Sequence, residues 1–362
     1  MSRRRTTTRS ATTRAGALGG AGVALAVLLG GCADAPLPEP QPQEVAGAYP
    51  AVTAEESASV HEAVAADAAE ADAARDASLL EPRVAGSAAE LRAARYRLQE
   101  LLPDAPAPSP LGGTVERDVV PAVTLPGAQE GETPGRAVAP AEAAATFPRA
   151  WTTITQADGG VAPQLSVLVQ EDARSPYRVV TTTPLLPGAV VPETLAPEEG
   201  VAPLAPDAGG LVLSPQDAVG QYASALGDPD APEAARFADD PFRQVLLQER
   251  AAADAVEFFS LATSRSVRPG SVVATPTADG GALVVGVMES RSVQAVEEDG
   301  AVLTLSEPVA ALAETQEARE SAAVSWLEVV ALAVPPAPAD GEQAQPVRVV
   351  GADRVLSGAQ AR

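Results

Sequence analysis

The sequence predicts an α+β fold of two tandem modules, each a helix pair followed by a curved antiparallel sheet. Three observations support this prediction. Helix-capping signals occur near Thr53 and again near Ser214. Each helical region is followed by runs in which apolar and polar residues alternate, as in half-buried strands. Pro-rich stretches separate these regions, and we interpret them as linkers.

The first 50 residues have the composition of a signal and a stalk. Five arginines, at positions 3, 4, 5, 9 and 14, precede an uncharged run from Ala15 to Cys32. This run is too short and too rich in glycine for a membrane-spanning helix, which needs about 20 strongly apolar residues. Residues 33–50 are Pro-rich, so we expect a semi-extended stalk.

The run and its ending, Leu29-Gly30-Gly31-Cys32, resemble the signal of a bacterial lipoprotein. The resemblance implies that residues 1–31 are a cleaved signal peptide. It also implies that Cys32 is lipidated with diacylglycerol and palmitate, and that residues 32–50 carry the folded part away from the bilayer. The protein would then lie on the outer face of the cell membrane, attached through its lipid.

The first module is predicted to span residues 51–183. Thr53 and Glu56 fit a capping box, which predicts a helix to about residue 80. Ser87 is predicted to cap a second helix by the same logic. Residues 103–145 are dense in Pro, Gly and acids, so we interpret them as a disordered insertion with one possible short strand at 119–125. Strands are predicted at 151–156, 164–170 and 177–182.

Residues 184–213 are predicted to be a linker, and residues 214–362 the second module. Ser214 precedes a proline at the first helical position, and Asp240-Pro241 begins another helix in the same way. The run 324–334 is apolar on both faces, so it is predicted to be a central strand with Trp326 in the core. Further strands are predicted at 258–267, 283–293, 301–305 and 347–356, with a short helix within 306–321.

Both halves share this element order and an Ala-Asp-Gly-Gly turn, at 157–160 and 278–281. A duplication explains the similarity, but chance recurrence of Asp-Gly turns is the alternative. The helix-then-sheet order resembles the cone-shaped folds of the nuclear-transport-factor-like superfamily. That superfamily contains enzymes, binding proteins and inert modules, so the resemblance implies no activity.

Composition excludes several function classes. The chain has 25 basic and 48 acidic residues, a net charge of −23, which disfavours nucleic acid as a partner. It has no lysine, so a P-loop or a Schiff base is excluded. Cys32 is the only cysteine and His61 the only histidine. We therefore predict no catalytic residue, no cofactor and no metal site, although the acids within 227–233 leave calcium as an alternative.

The tetrad Arg174, Ser175, Pro176 and Tyr177 is a candidate partner surface, because Arg and Tyr are frequent at interfaces. Its alternative is a turn that leads into a strand. The whole chain resembles uncharacterised lipoproteins of high-GC Gram-positive bacteria, some with a domain of unknown function. We expect a lipid-anchored, non-catalytic envelope protein that binds a protein or a cell-wall component. The alternative is a carboxylate-dependent hydrolase or small-ligand-binding enzyme with a cone-shaped pocket.

Overall fold

The computed structural model describes residues 48–119, 122–124, 147–157, 159–195, 201–228 and 230–362. The predicted signal, Cys32 and nearly all of the stalk lie outside these residues, as do residues 120–121 and 125–145 of the predicted insertion. Within the described ranges, no helix is both long enough and apolar enough to cross a membrane. Helices and antiparallel sheets occur in separate runs, which confirms the α+β prediction.

The first helix pair begins at the predicted capping box. Helix α1 (Ala54–Ala74) has Thr53 at its N-cap, and the side chains of Thr53 and Glu56 each bind the other residue's backbone amide. A 3₁₀ turn (Ala77–Leu80) leads from α1 towards α2 (Gly86–Leu101). The reciprocal bonds satisfy amides that the helix itself leaves unpaired, which fixes where α1 begins.

The prediction that Ser87 caps α2 is wrong. Ala85 holds the N-cap position and makes no side-chain capping bond. Ser87 is buried, and its hydroxyl lies 3.0 Å from both the Val180 carbonyl oxygen and the Thr181 hydroxyl. Ser87 therefore fastens α2 to the adjoining sheet, a tertiary contact that the capping pattern does not reveal.

The smaller sheet has four antiparallel strands, in the order β2 (Thr114–Val119), β4 (Arg149–Gln156), β5 (Gln164–Gln170) and β6 (Arg178–Pro184). The three strands predicted for the first module are confirmed as β4, β5 and β6. Strand β2 lies inside the predicted disordered insertion, and that part of the prediction is wrong, since residues 114–118 are in a strand and Leu111 is buried. Strand β3 (Ala122–Thr124) lies within the short strand predicted at 119–125. A separate pair of short strands is formed by β1 (Ala48–Pro50) and β3 (Ala122–Thr124).

The second helix pair also begins at its predicted caps. Helix α3 (Pro215–Gly227) has Ser214 at the N-cap, where its hydroxyl accepts a hydrogen bond from the amide of Asp217. Helix α4 (Pro241–Asp254) has Asp240 in the same role. Both helices have proline at the first position, where a missing amide hydrogen costs nothing.

The larger sheet has the strand order β13 (Arg348–Ala361), β12 (Ser321–Val334), β9 (Ala282–Val296) and β7 (Phe259–Val267). Strand β8 (Val273–Pro276) pairs with the other end of β9. Strand β12 is central, as predicted, and β8 was not predicted. A short hairpin and helix, which we call the strap, lie next to the sheet and consist of β10 (Leu303–Thr304), α5 (Glu307–Ala313) and β11 (Glu317–Ala318).

The larger sheet is covered on both sides. Helix α3 packs on one side, which we call the helix face, through a core that includes Val219 and Met288. On the other side, the shared face, Val285 and Val329 pack with Leu91 of α2 and Leu165 of β5. One core therefore joins side chains from both predicted modules. The sheet is curved and does not close, and a nuclear-transport-factor-like cone is not confirmed.

The stretch 184–213 differs from the free linker that its prolines suggest. Leu185 pairs with Gly351 and Leu204 with Ala274 in isolated bridges to the larger sheet. Leu213 is buried in the core of the helix face. Residues Glu44–Arg362 form one compact unit. These leucines therefore attach the described parts of the stretch to the common core, because burial of an apolar side chain is more favourable in free energy than its exposure in a solvated linker.

Candidate functional site

A groove of about 670 Å³ lies on the helix face, between the ends of the long strands, helix α4 and the strap. Strand register places its floor. Arg265 pairs with Ser290 across β7 and β9, and Ser290 pairs with Trp326 across β9 and β12. Because directly paired residues share a face, alternate residues along these strands, such as Thr263 and Ser292, also face the groove.

The inner end of the groove lies above a buried ion pair. Glu328 is fully buried, and its carboxylate accepts hydrogen bonds from Arg265 Nε at 3.2 Å and from the Ser290 hydroxyl at 2.8 Å. Arg265 also donates from Nη1 to the Leu226 carbonyl at 3.0 Å. These contacts satisfy the buried Glu328 charge and hold the Arg265 guanidinium in a fixed orientation.

Trp326 is not a core residue, and that prediction is wrong. It is half-buried and lines the groove, because the first half of β12 extends beyond the part of the sheet that α3 covers. The Arg354 guanidinium lies 4.4 Å above the Trp326 ring and forms an ion pair with Glu249 of α4. The stack presents an aromatic face and a cation to any ligand in the groove.

Apolar side chains line much of the groove walls, beside polar residues of the strap and of α4. The strap contributes Leu303, Leu305 and Val309, and α4 contributes Leu246. Val256 stands at the rim with 38% of its surface exposed. A concave site of several hundred Å³ with apolar walls and a few fixed polar groups is the usual form of a ligand site.

Sequence reasoning missed Arg265, Glu328 and Arg354. One signal was present, because Glu328 is the only charged residue in the apolar run 324–334. A charge inside a central strand requires a partner, so the run itself predicts a buried ion pair. The partner could not be identified, because β7 is distant in sequence.

The only histidine of the chain belongs to a separate buried cluster around Asp118. Thr153 donates to the Asp118 carboxylate at 2.7 Å, Trp151 donates at 3.2 Å, and Ser57 donates as well. His61 is buried and lies 3.4 Å from the same carboxylate. Ser57 binds the carboxylate and not His61, so the cluster lacks the serine-to-histidine bond of a nucleophilic triad. It joins α1 to the smaller sheet.

The predicted partner surface divides into two parts. Arg174 and Pro176 are exposed, and the turn is held by Asp172, which accepts hydrogen bonds from the amides of Arg174 and Ser175. Tyr177 is buried, so its assignment to an exposed surface is wrong. Its ring meets Trp151 edge to face, with 5.5 Å between the ring centroids. Burial raises the pKa of the Tyr177 hydroxyl.

The calcium alternative has no support in the described residues. None of them forms a group of three or more His, Cys, Asp or Glu side chains that could hold a metal ion. Asp228 instead accepts a hydrogen bond from the amide of Asp230 at 3.0 Å, which is a local turn contact.

Comparison with known proteins gives one finding. A family model described as a domain of unknown function (DUF8094) matches residues 137–360. The matched range includes the three arginines that line the groove, Arg250, Arg265 and Arg354. No curated protein and no solved structure matches the chain. Because the family model covers more than half of the 362 residues, the chain belongs to the DUF8094 family, a domain of unknown function.

Proposed function

We propose that the protein is a lipid-anchored, non-catalytic envelope protein that binds a protein or a cell-wall component in the groove. The signal-like run that ends at Cys32 supports the anchor and a location on the outer face of the cell membrane. The Pro-rich composition of residues 33–47 supports a stalk that holds the groove away from the bilayer, and residues 48–50 of the predicted stalk instead form β1 of the folded part. The high-GC Gram-positive lipoproteins that the chain resembles are anchored in this way.

The number of carboxylates that face the groove distinguishes a binding site from a hydrolase site. A carboxylate-dependent hydrolase of the glycosidase type needs two acids that face the substrate. Among the described lining residues, Glu249 is the single carboxylate, and it forms an ion pair with Arg354. Glu328 lies below the floor, fully buried and bound to Arg265. This arrangement supports a binding groove.

A photo-crosslinking amino acid at Thr263 tests the proposal in the full chain, in native membranes. Thr263 faces the groove, and its neighbour Ser264 points to the opposite side of the sheet, so Ser264 is a matched control position. We expect irradiation to give a discrete crosslinked species from position 263 and none from position 264. Equal crosslinking from both positions, or none from position 263, would contradict a groove that binds an envelope component.

A further inference from the structure

The charge and shape of the groove point to an amphiphile with an acidic head group, a carboxylate or a phosphate, as its ligand. The head group would bind at the inner end, beside Arg265 and Arg354, and the apolar chain would lie along the strap. This inference rests on the proposed function and names the chemistry of the envelope component that the groove binds.

The first argument is the sign of the charge. Three cations line the groove, Arg250, Arg265 and Arg354, and each forms an ion pair, with Asp254, Glu328 and Glu249 respectively. The whole chain has a net charge of −23. The carboxylates of Asp254 and Glu249 are about half exposed, so solvent screens their charges. The groove arginines therefore attract an acidic group that the acidic surface elsewhere repels, which gives selectivity for such a group.

The second argument is the state of the two arginines at the inner end. Arg265 uses Nε for Glu328 and Nη1 for Leu226, and within the described residues its Nη2 makes no hydrogen bond. Arg354 is bound to Glu249, whose side chain is 51% exposed. An exposed ion pair contributes little, so an incoming acidic group can displace Glu249 at small cost. Guanidinium groups match the geometry of both carboxylate and phosphate.

The third argument is the apolar wall next to these cations. Leu261 and Val324 of the sheet face Leu303, Leu305 and Val309 of the strap across the groove. Burial of a ligand's methylene groups against these side chains provides affinity in proportion to the apolar area covered. A groove of about 670 Å³ has the volume that encloses a small amphiphile.

Titration calorimetry on the purified full chain tests the inference with four probes, each a straight ten-carbon chain that ends in a different head group. These are decanoate, decyl phosphate, decanol and decyltrimethylammonium. We expect the two acidic probes to bind at least about tenfold more tightly than decanol, with the cationic probe weakest. The better of the two acids identifies the head group. Equal affinity for decanol, or preference for the cationic probe, would overturn the inference.

Two substitutions place the head group. Arg354→Gln should weaken decanoate binding about tenfold and leave decanol binding unchanged. Glu249→Gln, at an exposed position, should tighten decanoate binding several-fold, because it frees Arg354. Arg268→Gln is the matched control, since Arg268 also forms ion pairs with partly exposed glutamates but lies outside the groove. Unchanged decanoate affinity in the Glu249→Gln protein would overturn the placement even if Arg354→Gln fails to fold.

Failure of this inference differs from failure of the proposed function. If none of the four probes binds but Thr263 still crosslinks in membranes, the acidic amphiphile is wrong and the binding groove stands. Loss of both results would overturn both. The fluorescence of Trp326 provides a second measure of groove occupancy. The other tryptophan, Trp151, is fully buried and does not line the groove.

Discussion

Asp118 holds its surroundings together through acceptor bonds alone. Burial by itself would raise the pKa of Asp118, but hydrogen bonds from His61, Ser57 and Thr153 and the nearby His61 charge outweigh burial and hold that pKa below its usual value. The folded state therefore prefers the ionised carboxylate. The stability that it contributes is present above the unfolded pKa of about 3.9 and is lost as the pH falls through the folded value.

The substitution Asp118→Asn should lower the free energy of unfolding by about 1 to 3 kcal/mol at pH 7, because charged acceptor bonds to buried donors are lost. The gap between variant and wild type should narrow below about pH 4, where wild-type Asp118 becomes protonated. Urea unfolding at pH 7, 5 and 3 measures it. A gap that is constant across this range would show that the charge of Asp118 does not matter.

Asp240 serves as a control, because its pKa is shifted in the direction opposite to that of Asp118. Burial raises the pKa of Asp240 despite hydrogen bonds from Arg243 and Tyr222. Its contribution to stability is therefore greatest at low pH and declines as the pH rises from about 3.9 through the folded pKa. In Asp240→Asn, the wild-type advantage should decrease with rising pH, whereas in Asp118→Asn it should increase.

Single residues were the hardest feature to predict. Tyr177 and Trp326 follow strand patterns that do not say what covers each face. Tyr177 is buried and meets Trp151 of β4 edge to face, and Trp326 is half-buried because it lines the groove, beyond the part of the sheet that α3 covers. Burial at such positions depends on partners that are remote in sequence, so local periodicity gives the strand and not its covering.

Helices α1, α3 and α4 were predictable at their starts because the caps are local chemistry. Thr53, Ser214 and Asp240 each bind an amide three residues along, so the signal and its effect lie within one turn. The packing of α3 on the sheet is not local. A Cβ at Gly286 of β9 would lie 2.7 Å from the methyl groups of Val219, so α3 approaches the sheet only because residue 286 has no side chain.

Gly286→Ala should destabilise the protein by about 1 to 3 kcal/mol, because an added methyl overfills a packed core. Val219→Ala should relieve part of this cost, so the double variant should be more stable than the two single effects predict when added. Chemical unfolding of the four proteins measures the coupling. Gly358→Ala, where a Cβ meets nothing within 4 Å, is the control and should be near neutral. Additive effects would contradict direct contact between α3 and β9.

At the scale of the whole molecule, the fold class was predictable and the assembly of its two halves was not. Caps and alternation identify the α+β class from short windows. The common core joins Leu91 and Leu165 to Val285 and Val329, pairs more than 100 residues apart, for which no short window contains a signal. The same limit hid the groove, since its floor, walls and rim come from β7, β9, β12, β13, α4 and the strap.

The proposed anchor also belongs to the scale of the whole molecule, because it would determine where the groove operates. Each buried methylene of an acyl chain contributes about 0.8 kcal/mol, so two or more chains give stable attachment where one gives only reversible binding. Cys32→Ala should therefore shift the protein from the membrane fraction to the medium, or leave it as an uncleaved precursor. Cell fractionation with intact-mass measurement distinguishes these forms. Arg268→Gln should stay in the membrane fraction, and an unmodified Cys32 in a soluble mature wild-type protein would refute the anchor.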